Sequence, residues 1–187
     1  TDGLHSHGLM RLPAYCAHTL CGKVDGMAIP RVDRAAPVAI KVDAACGFAH
    51  PAIDAGFREL VPAARECGIA ALAVRNSYNC GVVGHHVERL ADEGLIGLAF
   101  VNAPAAIAAW GGRKPIFGTN PVAMAVPRRS GVPMVIDQSS SVVARGEVML
   151  KARERQSIPD HWGFDAGGRP TTDPNAVLGP GNEAEAA

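Results

Sequence analysis

Apolar positions recur along this chain at two spacings, and the switches between them mark the elements. Leu9, Leu12, Cys16 and Leu20 stand at helical intervals within residues 4–22. Pro13 places the start of the regular helix near Leu12, and Gly22 is its expected stop. Residues 30–37, with prolines at both ends and charges between, are expected to form a connector, and 38–42 are β-rich enough for a strand. Ile53, Phe57, Leu60 and Ala64 predict a helix over 51–67 that Gly68 closes. A strand over 69–74 should follow. Val87, Leu90 and Ala91 lie on one side of a helix over 84–93, and the continuous apolar run 95–101 predicts a buried strand. Strand, helix, strand, helix, strand is the pattern of an α/β layer.

The second half changes character. Residues 121–126 and 132–136 are short strands around Pro127-Arg128-Arg129-Ser130-Gly131, which predicts a hairpin and antiparallel pairing. A charged helix is expected over 142–156. From Ile158 onward Pro, Gly and Asp predict loop, and 182–187 a frayed end.

With 187 residues, 48% hydrophobic and 19% charged, the chain can bury one substantial core. Eighteen basic and eighteen acidic residues cancel, so no global field favours nucleic acid or an anionic membrane surface, and a small molecule is the expected partner. Residues 94–110 carry no charge but contain Asn102 and Pro104, short of the roughly 20 apolar residues a spanning helix needs. No basic-then-apolar leader is visible. Five scattered cysteines without a CxxC pair fit reduced thiols, so a cytoplasmic protein is expected.

The densest reactive cluster is Asp2-Gly3-Leu4-His5-Ser6-His7-Gly8-Leu9-Met10-Arg11. If it is helical, His7 and Arg11 share a face. That pair offers a proton donor for a carbonyl oxygen and a cation for a carboxylate, with Ser6 able to relay to the imidazole. The alternative is a solvated helix start. A metal site on His5 and His7 lacks further ligands at suitable spacing, so no metal is expected.

Arg75 to His86 joins a predicted strand to a predicted helix, where free backbone N–H groups can dock an anion, and Gly81 and Gly84 would permit close approach of a phosphate. No GxGxxG fingerprint occurs, which disfavours a Rossmann site. His85 and His86, adjacent on a helix, point about 100° apart, so at most one faces a given site; both also suit ordinary packing or surface roles. Cys80 reads as a small buried hydrophobe. Gly118-Thr119-Asn120-Pro121 and Asp137-Gln138-Ser139-Ser140-Ser141 gather hydroxyls and amides at element ends, positions that suit ligands and equally suit side-chain-capped turns.

In order, Ser6-His7-Gly8 with Arg11-Leu12-Pro13, Arg75-Asn76-Ser77, Gly118-Thr119-Asn120-Pro121, Ala144-Arg145-Gly146 and Pro170-Thr171-Thr172-Asp173-Pro174 resemble the malate/L-lactate dehydrogenase family of non-Rossmann oxidoreductases. The resemblance implies an α/β fold with a mixed, largely antiparallel sheet flanked by helices, and hydride transfer between NAD or NADP and a small 2-oxo acid or cyclic 2-imino acid. It implies His7 as proton donor, Ser6 as its relay neighbour, Arg11 as carboxylate clamp and Thr119 and Arg145 as substrate contacts. Asp137, Gln138 and Ser139 would contact the cofactor, together with Gly81 and Gly84. A homodimer is implied as well.

Two departures change what carries over. Asn79 stands where many family members have a histidine assigned as acid/base, and a carboxamide does not titrate. Glu147 stands where malate-type members often have lysine and resembles the acidic residue of the Ser-His relay in imino-acid reductases. Family members are also nearly twice as long, so the chain looks like the central portion of an enzyme, organised as an N-terminal helix and connector (1–36), an α/β core (37–178) and a tail (179–187). A non-catalytic remnant acting as an oligomerisation module is the rival expectation, and a metal-dependent hydrolase using His5, His7 and the His85-His86 pair a weaker one.

Overall fold

The computed structural model describes residues 7–179. A 3-10 turn over Leu9–Arg11 leads into helix α1 (Leu12–Leu20), then β1 (Arg31–Ala36), β2 (Ala39–Asp43), α2 (Ala49–Cys67) and β3 (Ala71–Arg75). Helix α3 (Val83–Asp92), β4 (Gly97–Phe100), the small ribbon β5 (Ile107–Ala108) and β6 (Pro115–Phe117), β7 (Val122–Val126) and β8 (Met134–Gln138) follow. Helices α4 (Arg145–Arg153) and α5 (Pro174–Leu178) end the described chain.

In the first sheet β1 pairs antiparallel with β2, and β2 parallel with β3 across the α2 crossover. Ile40, Val42 and Ala44 meet Ala52, Leu60, Ala63 and, from α3, Leu90 in one core. Gly56 is what lets α2 lie this close: a Cβ there would stand 2.6 Å from the methyls of Leu72. Gly68, at φ +82°, caps the helix with its N–H on the Ala64 carbonyl, as its place in the sequence predicts.

The second sheet has the order β4-β7-β8, antiparallel throughout. Its inner face buries Ala123 and Ala125 under Val83, Val87 and Ala91 of α3. Gly97 permits that contact, since a Cβ would lie 2.9 Å from the Val87 carbonyl oxygen. The predicted hairpin is present as β7 and β8. Among the described residues four of five strand pairings are antiparallel, so the architecture is the mixed, largely antiparallel α/β arrangement expected. No helix in the described chain is long and apolar enough to cross a membrane.

Several expectations need correction. Residues 30–37 are largely strand: β1 is exposed at every position, so it lacks the apolar face that pattern reading requires, and its pairing with β2 makes it. The run 95–101 is not buried. Leu98 and Phe100 alternate onto the sheet face away from α3 and are 59% and 75% exposed, in register with Met124 and Ile136 and with Val122. The strand-helix alternation does not build one layer either, because β3 and β4 belong to different sheets. Helix α4 is shorter than 142–156, and the expected loop after Ile158 contains α5, whose Asp173 side chain accepts from the Asn175 N–H as an N-cap. Finally, α1 begins at Leu12 as predicted, but its Leu9, Leu12, Cys16 and Leu20 stripe faces outward; the face turned to the body is Arg11, Ala14, Tyr15 and His18.

Candidate functional site

A cleft of about 700 Å³ opens where the chain before α1, the start of α3, the end of β8 and the start of α4 converge. His7 and Arg11 reach it from one side, Gly81 and Gly84 from the turn into α3, and Thr119 from the loop before β7. Asp137 and Gln138 line it from the end of β8 and Ser139 from just beyond, and Arg145 and Glu147 from the first turn of α4. Ser6 and His5 lie outside the described residues, as do 182–187.

His7 and Arg11 do not meet by sharing a regular helix. Gly8, at φ −102° and ψ −140°, turns the chain between them, and the helical backbone starts afresh at Leu9. The cleft, rather than the helix repeat, brings them together.

The turn into α3 is held by three hydrogen bonds. The Gly81 N–H donates to Asn79 Oδ1 at 2.7 Å, with Gly81 at φ +70°. His86 Nε2 donates to the Cys80 carbonyl at 2.8 Å, and the Gly84 N–H donates to Asp137 Oδ2 at 2.6 Å. Within the segment expected to dock an anion, the N–H groups of Gly81 and Gly84 are therefore engaged by the protein's own side chains. A Cβ on Gly84 would stand 3.1 Å from Asp137 Oδ2, so the bare glycine gives the β8 carboxylate its seat. Asn79, unable to titrate, shapes the turn.

Thr119 is fixed from both flanks. Its carbonyl accepts from the Ser140 N–H at 2.9 Å, and Asn120 Oδ1 accepts from the Ala103 N–H at 2.9 Å. Ser139 and Ser141 share a hydroxyl contact at 2.9 Å beside the start of α4. Glu147 in the first turn of α4 places negative charge at the favourable end of that helix.

Burial, then the Arg11 charge, lower the pKa of His7 below its usual 6.5, against the opposing pull of Asp137 and Glu147. The imidazole is thus neutral near pH 7 and in reach of charges of both signs. Of the adjacent pair, His85 lines the cleft while His86 is 5% exposed and packs against His50, with ring centroids 5.3 Å apart. At most one was expected to face the site. His85 is that one. Glu88, one turn beyond His85 and Gly84 on the same helix face, also lines the cleft and was missed; its spacing from them was the available signal.

His7, His50 and His86 all have lowered pKa values, with burial the largest cause in each. As pH falls through 6.5 the unfolded chain takes up protons that the folded chain resists, so stability present above 6.5 is lost toward the lower folded-state values. The urea midpoint should be lower at about pH 5.5 than at about pH 7.5. Equal midpoints would contradict this account of the three imidazoles. Among the described residues no group of three or more His, Cys, Asp or Glu side chains is placed to hold a metal ion.

A family model described as malate/L-lactate dehydrogenase matches residues 1–184. Over 177 residues the chain is 53% identical to (2R)-3-sulfolactate dehydrogenase (NADP(+)) of Chromohalobacter salexigens, an alignment covering 95% of this chain and 53% of that protein. It is 46% identical over 177 residues to the Delta(1)-pyrroline-2-carboxylate/Delta(1)-piperideine-2-carboxylate reductase of Pseudomonas putida, covering 95% and 52%. Among solved structures, delta1-piperideine-2-carboxylate reductase from Pseudomonas syringae pvar. tomato superimposes with a TM-score of 0.90 at 39% identity, over 99% of this chain and 58% of that one. Malate dehydrogenase from Entamoeba histolytica gives 0.87 at 29% identity, over 94% and 49%. The chain spans about half the length of the curated relatives it matches.

Proposed function

Because the chain belongs to the malate/L-lactate dehydrogenase family, we propose that it serves hydride transfer between NAD or NADP and a small 2-oxo acid or cyclic 2-imino acid, as a cytoplasmic homodimer. The observation that carries this is the gathering of His7, Arg11, Thr119, Arg145 and Glu147 in one cleft. One relative is named for oxidation of a sulfonated hydroxy acid and another for reduction of cyclic imino acids, and both substrate types present a carboxylate beside the reacting carbon.

The donor set fits the sugar and carboxamide end of a nicotinamide nucleotide: the Gln138 amide, the Ser139 hydroxyl and the Arg145 guanidinium all line the cleft. The bound nucleotide supplies or accepts the hydride. Arg11 holds the substrate carboxylate as a charge-assisted pair, and Thr119 adds a hydroxyl contact. An imidazole nitrogen of His7 gives a proton to the C2 oxygen or nitrogen in reduction and takes it back in oxidation. Ser6 and Glu147 orient and balance that imidazole. Asp137, through the Gly84 N–H, ties β8 to the start of α3 and keeps both cofactor-facing walls in register.

The test is a panel of 2-oxo and cyclic 2-imino acids with NADPH and with NADH, read as coenzyme oxidation, together with calorimetric coenzyme binding. Turnover of at least one acid is expected. In Arg11→Met the KM for that acid should rise about 10- to 100-fold, the worth of a charge-assisted hydrogen bond, with coenzyme affinity unchanged. An unchanged KM removes Arg11 as the clamp.

The exposed apolar face of β4, β7 and β8, with Leu98, Phe100 and Ile136, favours a second reading: a non-catalytic module that associates through this face. Well-folded protein that binds neither coenzyme would leave that reading alone.

A further inference from the structure

Helix α1 contains no buried residue, yet it follows directly on the segment that carries His7 and Arg11. What fastens it to the body is a set of rings. Tyr15 of α1 stands edge-on to Phe48 at 5.8 Å and to Tyr78 at 5.6 Å between centroids, and Phe48 meets Tyr78 at 5.6 Å, also edge-on. One turn further along α1, His18 Nδ1 hydrogen-bonds the Tyr78 hydroxyl.

The two outer rings sit on well-held backbone. Phe48 is the N-cap residue of α2, and the Tyr78 N–H donates to the Gly47 carbonyl at 2.8 Å. Beyond α1, the chain is tied in again where the Val24 N–H reaches the His18 carbonyl and the Asp25 N–H reaches the Cys46 carbonyl; Val24 is 1% exposed. Helix α1 is therefore anchored at its C-terminal end and gripped at Tyr15. His7 lies beyond the other end of α1, joined to it through Gly8 and the 3-10 turn over Leu9–Arg11, so a shift of the helix at Tyr15 is carried into the segment that holds the imidazole.

We propose that Tyr15, Phe48 and Tyr78 form a clasp whose role is to position His7 and Arg11 at the cleft, which makes Tyr15 and Tyr78 positioning residues. As a statement about catalysis this rests on the function proposed above. As a statement about where His7 sits it does not. Burial lowers the His7 pKa, with Arg11 adding to the shift and Asp137 and Glu147 opposing it, so an imidazole that leaves the cleft reports its own departure.

The experiment follows the His7 ring by NMR titration in the wild type and in Tyr78→Leu, Tyr15→Leu and Tyr78→Phe, alongside steady-state kinetics. In both leucine variants the His7 midpoint should rise toward 6.5. kcat/KM should fall about tenfold or more, the cost of misplacing a catalytic group, with coenzyme affinity held to within about twofold. Tyr78→Phe keeps all three rings and should retain the wild-type midpoint. A His7 midpoint unmoved in folded leucine variants overturns the clasp. If the wild type turns over no acid, the function reading fails and the titration alone decides the clasp. Should the leucine variants not fold, amide exchange across α1 of the wild type takes their place. An unclasped nine-residue helix exchanges close to free-peptide rates, so such rates overturn the proposal, and strong protection over 12–20 supports it.

Discussion

Replacing His7 with alanine is expected to lower turnover by about 100-fold or more, the usual cost of removing a general acid, while leaving coenzyme affinity nearly intact. The two effects separate because His7 reaches the cleft from the segment before α1, whereas Gln138 and Ser139 reach it from the end of β8. The loss should appear in kcat as well as in kcat/KM, since proton transfer belongs to the transition state and not to ground-state binding. The wild-type pH profile follows from the same imidazole. With the His7 pKa lowered, the neutral form prevails near pH 7, so kcat/KM for oxidation should level off on the alkaline side of the lowered value and that for reduction should fall as pH rises through it. Steady-state kinetics in both directions check this, and unchanged turnover in His7→Ala removes the residue from the mechanism.

The second large effect is structural. Gly118 is buried beside Thr119, and a Cβ added there would collide with the Ala103 carbonyl oxygen and lie 2.5 Å from Asn120 Oδ1. That oxygen already accepts the Ala103 N–H at 2.9 Å, so Gly118→Ala drives apart two loops that a hydrogen bond holds together. Neither obstacle yields easily: one is backbone and the other is fixed by its hydrogen bond. A loss of about 3 kcal/mol is expected, at the upper end for overpacking. For a chain of this size that corresponds to a melting temperature lower by roughly 6–12 °C. Thr119 would be displaced with the loop, so substrate affinity should fall beyond what partial unfolding explains. A melting temperature within about 1 °C of wild type would show that the loops part freely.

How far these features were legible in the sequence depended on whether their signal was local. Helices α2 and α3 were readable because Ile53, Phe57, Leu60 and Ala64, and then Val87, Leu90 and Ala91, repeat a face at 3.6-residue spacing. The β7–β8 hairpin was readable because the Pro127–Gly131 segment separates two short apolar runs. Strand β1 was not, since Arg31-Val32-Asp33-Arg34 has no continuous apolar side and becomes a strand only beside β2. Tyr15 and Tyr78 gave no signal at all: two lone aromatics far apart in the chain meet only after folding.

The site divides in the same way. Residue types and motif order in the chain pointed to His7, Arg11, Thr119, Asp137, Arg145 and Glu147, and all of them line one cleft. What Gly84 does at the start of α3 was decided in three dimensions, where Asp137 takes its N–H.

By itself the sequence determined the periodic helix faces, the hairpin and the inventory of chemical groups, because each depends on neighbours a few positions away. Only the tertiary structure decided which apolar stripes are covered, which histidine faces the cleft and which way the His7 pKa moves. Burial and electrostatics are properties of surfaces brought together from distant parts of the chain, and no local pattern encodes the partner.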